Sequence, residues 1–225
     1  MKRLMLIGAA ALLAAHAGGV MAQNQNAFAM AADYAKSAKE NADLLRQYTW
    51  NMRVSMTKDG DTKPPQLYLV RFTIDGTLQK TLLTPAPELH GGPIMRTIEK
   101  EQMVLAKEQA DKLAHIVKEY TTPSPGTMLD FYMKAKYVPG ADDTLEIEGS
   151  DFVTPGDKVD FWVDKKTKKP HRFTFRTSMD GNPLTGVVNY EQVTGGPHYA
   201  ARIEINMPND SESAVVETFN YHKSN

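Results

Sequence analysis

The feature that most restricts the fold is a succession of short alternating segments that fills the chain from Thr144 onward. They run Thr144 to Glu148, Asp157 to Asp164, His171 to Met179, Leu184 to Val193, Tyr199 to Met207 and Ala214 to Tyr221. Apolar residues at every second position put one face of a strand against a core and leave the other polar. Turn chemistry separates the runs: Thr154-Pro155-Gly156, Lys165 to Pro170, Asp180-Gly181-Asn182-Pro183, Gly195-Gly196-Pro197 and Pro208-Asn209-Asp210. Strands joined so tightly pair antiparallel in sequence order, so the second half of the chain predicts a meander.

The first half adds strands and the two segments that read as helix. Ala27 to Arg46 holds no Gly or Pro and carries Phe28, Ala32, Tyr34, Ala35, Ala38, Ala42 and Leu45 near helical spacing. Tyr48, Trp50, Met52, Val54 and Met56 then alternate with Thr49, Asn51, Arg53 and Ser55, the mark of a strand. Gln66 to Ile74 and Thr77 to Thr84 flank Asp75-Gly76 as a hairpin with two-residue turn chemistry. Pro85, Pro87, Gly91, Gly92 and Pro93 interrupt the sheet, and Arg96 to Tyr120, rich in Glu, Lys and Ala, predicts a long helix. Thr127 to Val138 is open between short helix and strand. The class that follows is α+β, mainly β: one curved, twisted antiparallel sheet of around nine strands, forming an open half-barrel whose apolar face the helices cover.

The N-terminus predicts export. Lys2 and Arg3 precede an apolar run from Leu4 to Ala15, and small residues then lead to Val20-Met21-Ala22 as the processing site, so residues 1–22 read as a signal peptide and 23–225 as a single domain. The apolar run is too short to span a bilayer and lacks a stop-transfer flank, and no later segment reaches transmembrane length. The expected location is the periplasm. The chain has no cysteine, so it forms no disulfide and offers no thiol for lipid attachment. The formal net charge of -1 becomes about -3 once Lys2 and Arg3 are gone, which suggests no nucleic-acid partner.

A search for catalytic chemistry finds little. His90, His115, His171, His198 and His222 show no His-x-x-x-His or Glu-x-x-His spacing, so no metal site is expected. No Gly-x-Ser-x-Gly elbow, phosphate-cradling Gly-Lys-Ser/Thr loop or cysteine nucleophile occurs, so no catalytic residue and no cofactor is assigned. Asp142, Asp143, Glu146, Glu148, Asp151, Asp157, Asp160 and Asp164 match no EF-hand loop and read as solvated faces and turns. Lys165, Lys166, Lys168, Lys169 and Arg172 could touch anionic headgroups, but lysine at a hairpin tip also serves solubility.

What remains is apolar surface. Strand parity gathers Trp50, Met52, Val54, Phe72, Phe161, Phe175, Tyr190, Ile203 and Phe219 on one face, the expected lining of an apolar concavity. Met95, Met103, Met128 and Met133, among twelve methionines, suit either adaptable binding or ordinary gap-filling.

The stretch from Val159 to Arg172, with Asp164-Lys165-Lys166-Thr167-Lys168-Lys169-Pro170 between two strands, resembles the strand, Asp-x-x-Thr-x-x-Pro turn and strand of the LolA-like family of periplasmic lipoprotein carriers and receptors. Phe173-Thr174-Phe175, Val188-Asn189-Tyr190-Glu191-Gln192-Val193 and Glu217-Thr218-Phe219-Asn220-Tyr221 are similar to that family's closing meander. The resemblance implies an unclosed barrel capped by helices and a carrier or binding protein for lipoproteins or other acyl-chain lipids, with an inner- or outer-membrane protein as a further partner. The alternative is a structural or sensory domain with a filled barrel that binds a protein through an edge strand or exposed loop. The long insert Arg96 to Tyr120 departs from the compact carrier pattern.

Overall fold

Alternation and tight turns produce eleven antiparallel strands in one sheet among the described residues. The computed structural model describes residues 8–85, 93–140 and 143–224, side chains of 8–25, 93–100, 102 and 103 excepted. The strands are β1 (Tyr48–Lys58), β2 (Asp61–Thr62), β3 (Gln66–Phe72), β4 (Leu78–Leu82), β5 (Lys136–Pro139), β6 (Thr144–Ser150), β7 (Lys158–Asp164), β8 (Pro170–Met179), β9 (Asn182–Gln192), β10 (His198–Met207) and β11 (Glu212–Lys223). Their order is β4-β3-β1-β11-β10-β9-β8-β7-β6-β5, with β2 against β1. Among the described residues the sheet does not close on itself, with β4 and β5 as its end strands, consistent with the expected open half-barrel.

From β5 to β11 each strand pairs with its successor, as the meander requires. The first half departs from simple sequence order: β4 does not continue to β5, and β1 instead lies beside β11, with Val54 opposite Val216 and Met56 opposite Ala214. Two helices separate β4 from β5, so the chain leaves one edge and returns at the other.

Turn residues behave differently at two of the three Asp-Gly sites. Asp180 and Gly181, at φ 51° and 84°, form a two-residue link between β8 and β9, since both central positions of such a turn need left-handed backbone. Asp75-Gly76 instead sits in a wider loop, closed by Thr73 N–H donating to the Thr77 carbonyl at 2.9 Å, with the Asp75 carboxylate accepting from the Thr73 and Thr77 hydroxyls. The expected two-residue turn is thus longer, because its Asp is engaged as a side-chain acceptor for the flanking threonines.

Three helices lie among the described residues: α1 (Gly8–Leu45), α2 (Pro93–Thr121) and α3 (Pro125–Lys134). The ambiguous segment resolves as both alternatives in series. Ser124 caps α3 by accepting from Thr127 N–H at 3.0 Å, Pro125 starts the first turn, and strand β5 begins directly after Ala135. The stripe of α1 is shifted from the expected one: Ala27 and Ala31 are buried with Met30 and Tyr34 beside them, while Phe28 is 56% exposed. Alanines allow α1 to approach α3 closely, and Phe28 would prevent that. On α2, Leu113, Ile116, Val117 and Tyr120 follow the helical spacing of a core-facing stripe.

The core lies between these helices and the inner face of β6 to β10. Phe131, Phe152, Phe161, Phe173, Phe175 and Tyr120 form one aromatic cluster, with Phe161 and Phe173 at 4.2 Å and Tyr120 stacked on Phe175 at 4.4 Å between ring centres. Each fully buried ring contributes about 1.5–3 kcal/mol relative to exposure. Two glycines make the fit possible. A Cβ on Gly186 would lie 2.1 Å from the Phe175 ring and one on Gly149 2.4 Å from Phe131, so these strands must be bare where the rings cross them.

Candidate functional site

Cross-strand register assigns one face to the concave side of the sheet. Phe173 pairs with both Phe161 and Val188, Val188 with Ile203, Ile203 with Val216, Val216 with Val54, and Met52 with Tyr68. Residues directly opposite one another share a face, so this series traces a continuous apolar band from β7 to β3. The helices cover only part of it.

Under the helices, Phe161 and Phe175 are core residues at 9% and 1% exposure, and Tyr190 and Ile203 pack against the same cluster. Beyond β11 the band is differently populated. Trp50 is buried in a separate aromatic group, stacked on Tyr221 at 5.3 Å and tilted to Phe72 at 5.9 Å, outside the main core. Met52, Val54, Tyr68 and Phe72 remain partly accessible, and Met56, Leu78 and Leu82 are 36%, 44% and 38% exposed. On β4, Leu82 stands opposite Tyr68 and Leu78 opposite Phe72, so these leucines extend the concave band to the free edge.

Phe219 leaves this group. It pairs with Asn51 on the convex face, where the Arg53 guanidinium lies over its ring at 5.1 Å. Phe219 alternates without interruption with Val216 and Thr218, which face inward, so it faces out; the bulge follows it, where Asn220 adopts φ 56° and the register slips so that Tyr221, not Phe219, meets Trp50. Period-two reading assigns Phe219 and Tyr221 to one face; the extra residue separates them.

Leu78, Leu82 and Tyr68 carry the open part of the band and are absent from the expected lining. Leu78 and Leu82 lie two positions either side of Lys80, and that alternation was the available signal. Met128 is buried at 1% exposure, so it fills the core, while Met133 is 37% exposed. Met95, Met103, Asp142 and His90 lie outside the described side chains.

The remaining polar candidates serve structure. Asp157, read as solvated, is buried at 2%; its carboxylate accepts from the backbone N–H groups of Phe152, Val153 and Thr154 at 2.7, 2.9 and 3.0 Å and from the Tyr120 hydroxyl at 2.6 Å. Burial, then that hydrogen bond, pushes the Tyr120 phenol up to about 12. The lysine-rich turn is organised by Asp164, whose carboxylate accepts from the Thr167 N–H, the Thr167 hydroxyl and the Lys166 N–H, contacts that hold it below the usual range. Two further concavities, of about 460 and 320 Å³, are polar and lie away from the band, beside Lys136 and Arg176 and beside Lys112 and Asp180. Among the described residues no group of His, Asp or Glu is arranged to hold a metal, and no helix is long and apolar enough to cross a membrane.

No family model matches the sequence, and no curated protein is similar to it. Among solved structures, a LolA superfamily protein from Nitrosomonas europaea is similar at 16% identity, over 85% of this chain and 94% of that one, with a TM-score of 0.37. A DUF1329 family protein from Desulfovibrio piger (11% identity, 89% and 92% covered, TM-score 0.40) is also similar. So is a domain from Vibrio parahaemolyticus assigned to the outer membrane lipoprotein-sorting proteins (13%, 84% and 91%, TM-score 0.40).

Proposed function

We propose that the mature chain is a non-enzymatic periplasmic binding protein or carrier for acyl chains, of lipoproteins or of other lipids, and that the ligand lies along the concave apolar band. One observation carries this reading: the apolar face is wider than its helical cover, leaving Met52, Val54, Met56, Tyr68, Phe72, Leu78 and Leu82 partly or largely accessible. Contiguous exposed apolar surface of this kind marks a site of interaction. An acyl chain laid there gains about 0.8 kcal/mol per buried methylene. Further burial would require α1, α2 or α3 to give up part of its contact with Phe161, Phe175, Tyr190 and Ile203, a cost that makes exchange reversible. Removal of residues 1–22 and export would deliver the domain to its lipid.

A second reading, a structural or sensory domain, draws on strand β4, whose five residues are all exposed at a free sheet edge able to accept a partner strand. Native mass spectrometry of protein purified from periplasm, followed by uptake of a fluorescent fatty acid, separates the two. Bound lipid, with uptake lost in Leu82→Glu at unchanged melting temperature, supports the carrier. Purely apo protein with no uptake moves the assignment to the edge-strand partner. Leu82 is the better position to change, because Phe161→Glu or Phe175→Glu would bury a charge in the core and unfold the domain.

A further inference from the structure

The exposed sector of the band contains one feature that apolar binding does not use. Between Leu78 and Leu82, Lys80 faces the same concave side, directly opposite Val70, which is 1% exposed. On the described inner positions of β1, β3 and β4 up to Met56, the neighbours are Trp50, Met52, Val54, Met56, Tyr68 and Phe72, with Gln66 the other polar side chain. Lys80 makes no ion pair among the described residues, whereas Lys58, farther along β1, is held by Glu212. A lysine in this setting lays its methylenes on apolar surface and keeps its ammonium at the rim, where it needs a counter-charge.

We infer that this sector takes an anionic amphiphile: an acyl chain along Leu78, Leu82, Tyr68 and Met52, and a carboxylate or phosphate head held by the Lys80 ammonium. This rests on the acyl-binding reading and adds the charge of the ligand. The match is one of apolar extent and charge together. A single cation within an apolar strip pairs with a molecule that is apolar over most of its length and carries negative charge at one end. A lysine pointing inward on an edge strand also discourages strand-to-strand aggregation. That role predicts no preference among ligands, so binding data distinguish the two.

The test uses the mature full-length chain and compares palmitate, palmitoyl lysophosphatidic acid and uncharged monopalmitoylglycerol, in wild type, Lys80→Gln and Lys80→Arg. The expected result is that the anions bind tighter than the glyceride by about tenfold, as one charge-assisted contact provides. That advantage should disappear in Lys80→Gln, persist in Lys80→Arg and shrink in high salt, while glyceride affinity stays constant across all three proteins. The stronger of the two anions then identifies the head as carboxylate or phosphate. Equal binding of charged and uncharged ligands in wild type overturns the inference and leaves acyl binding standing. Failure of all three ligands to bind overturns both.

Discussion

Gly186 shows how little tolerance single positions have in this core. The Phe175 ring lies flat across the strand at Gly186, and a methyl group there would overlap it at 2.1 Å. Gly186→Ala is expected to cost about 1–3 kcal/mol through displacement of Phe175, measured as a lowered denaturation midpoint with unchanged slope. Gly181, with nothing near its missing Cβ, is constrained by φ 84° alone. Asp157 and Tyr120 carry a second residue-scale prediction. Tyr120→Phe removes the 2.6 Å hydrogen bond to a buried carboxylate, and should cost about 1.5–3 kcal/mol while preserving the stacking on Phe175. Hydrogen exchange at the C-terminal turn of α2 should rise with it, since that hydroxyl ties the helix to the loop between β6 and β7. A variant with unchanged stability and exchange would show that the bond is not the tether.

At the scale of elements, α1 is fastened to the sheet by an amide clamp. The Asn41 side chain donates to the His198 carbonyl at 2.9 Å and accepts from the His198 N–H at 2.7 Å. The imidazole of that residue has both nitrogens buried without a hydrogen-bond partner among the described residues. Burial and then the positive charge of Lys169 hold its pKa below the ordinary value. The folded state therefore takes up a proton less readily than the unfolded chain, which is protonated as pH falls through about 6.5. Stability from this group is complete above that pH and is lost below it, because the unfolded state then binds more protons. Thermal melts from pH 7.5 to 5.5 should show a fall in Tm that His198→Phe reduces. An unchanged slope in that variant would place the acid sensitivity elsewhere. The helices also show where periodicity misleads: a stripe containing Phe28 and one containing Ala27, Met30, Ala31 and Tyr34 fit the same helix, and only close packing on α3 selects the second.

For the whole molecule, the joining of β1 to β11 decides the architecture. It brings the two ends of the domain together across more than 150 residues of chain and turns a hairpin and a meander into one half-barrel. Contacts so distant in sequence close late and slow folding. They also place Met52 and Val54 in line with Val216 and Ile203, which makes the apolar band continuous. A ligand on that band stabilises the fold by mass action, about 2.7 kcal/mol at a concentration a hundredfold above its Kd. Melting temperature should therefore rise with palmitate in wild type and not in Leu82→Glu. Equal shifts in both proteins would mean that the ligand sits elsewhere.

The meander, both long helical segments, the hairpin and the apolar parity of most strands were legible in the sequence, because alternation, helical spacing and turn residues are local consequences of backbone geometry. Trp50, Met52, Val54, Phe72, Phe161, Phe175, Tyr190 and Ile203 could be placed on one face for that reason. The bulge at Asn220 that puts Phe219 and Tyr221 on opposite faces, the burial of Asp157, the pairing of β1 with β11 and the division of the band into covered and exposed sectors could not. Each depends on contacts between residues far apart in the chain, and a local pattern holds no information about which distant surface will cover it.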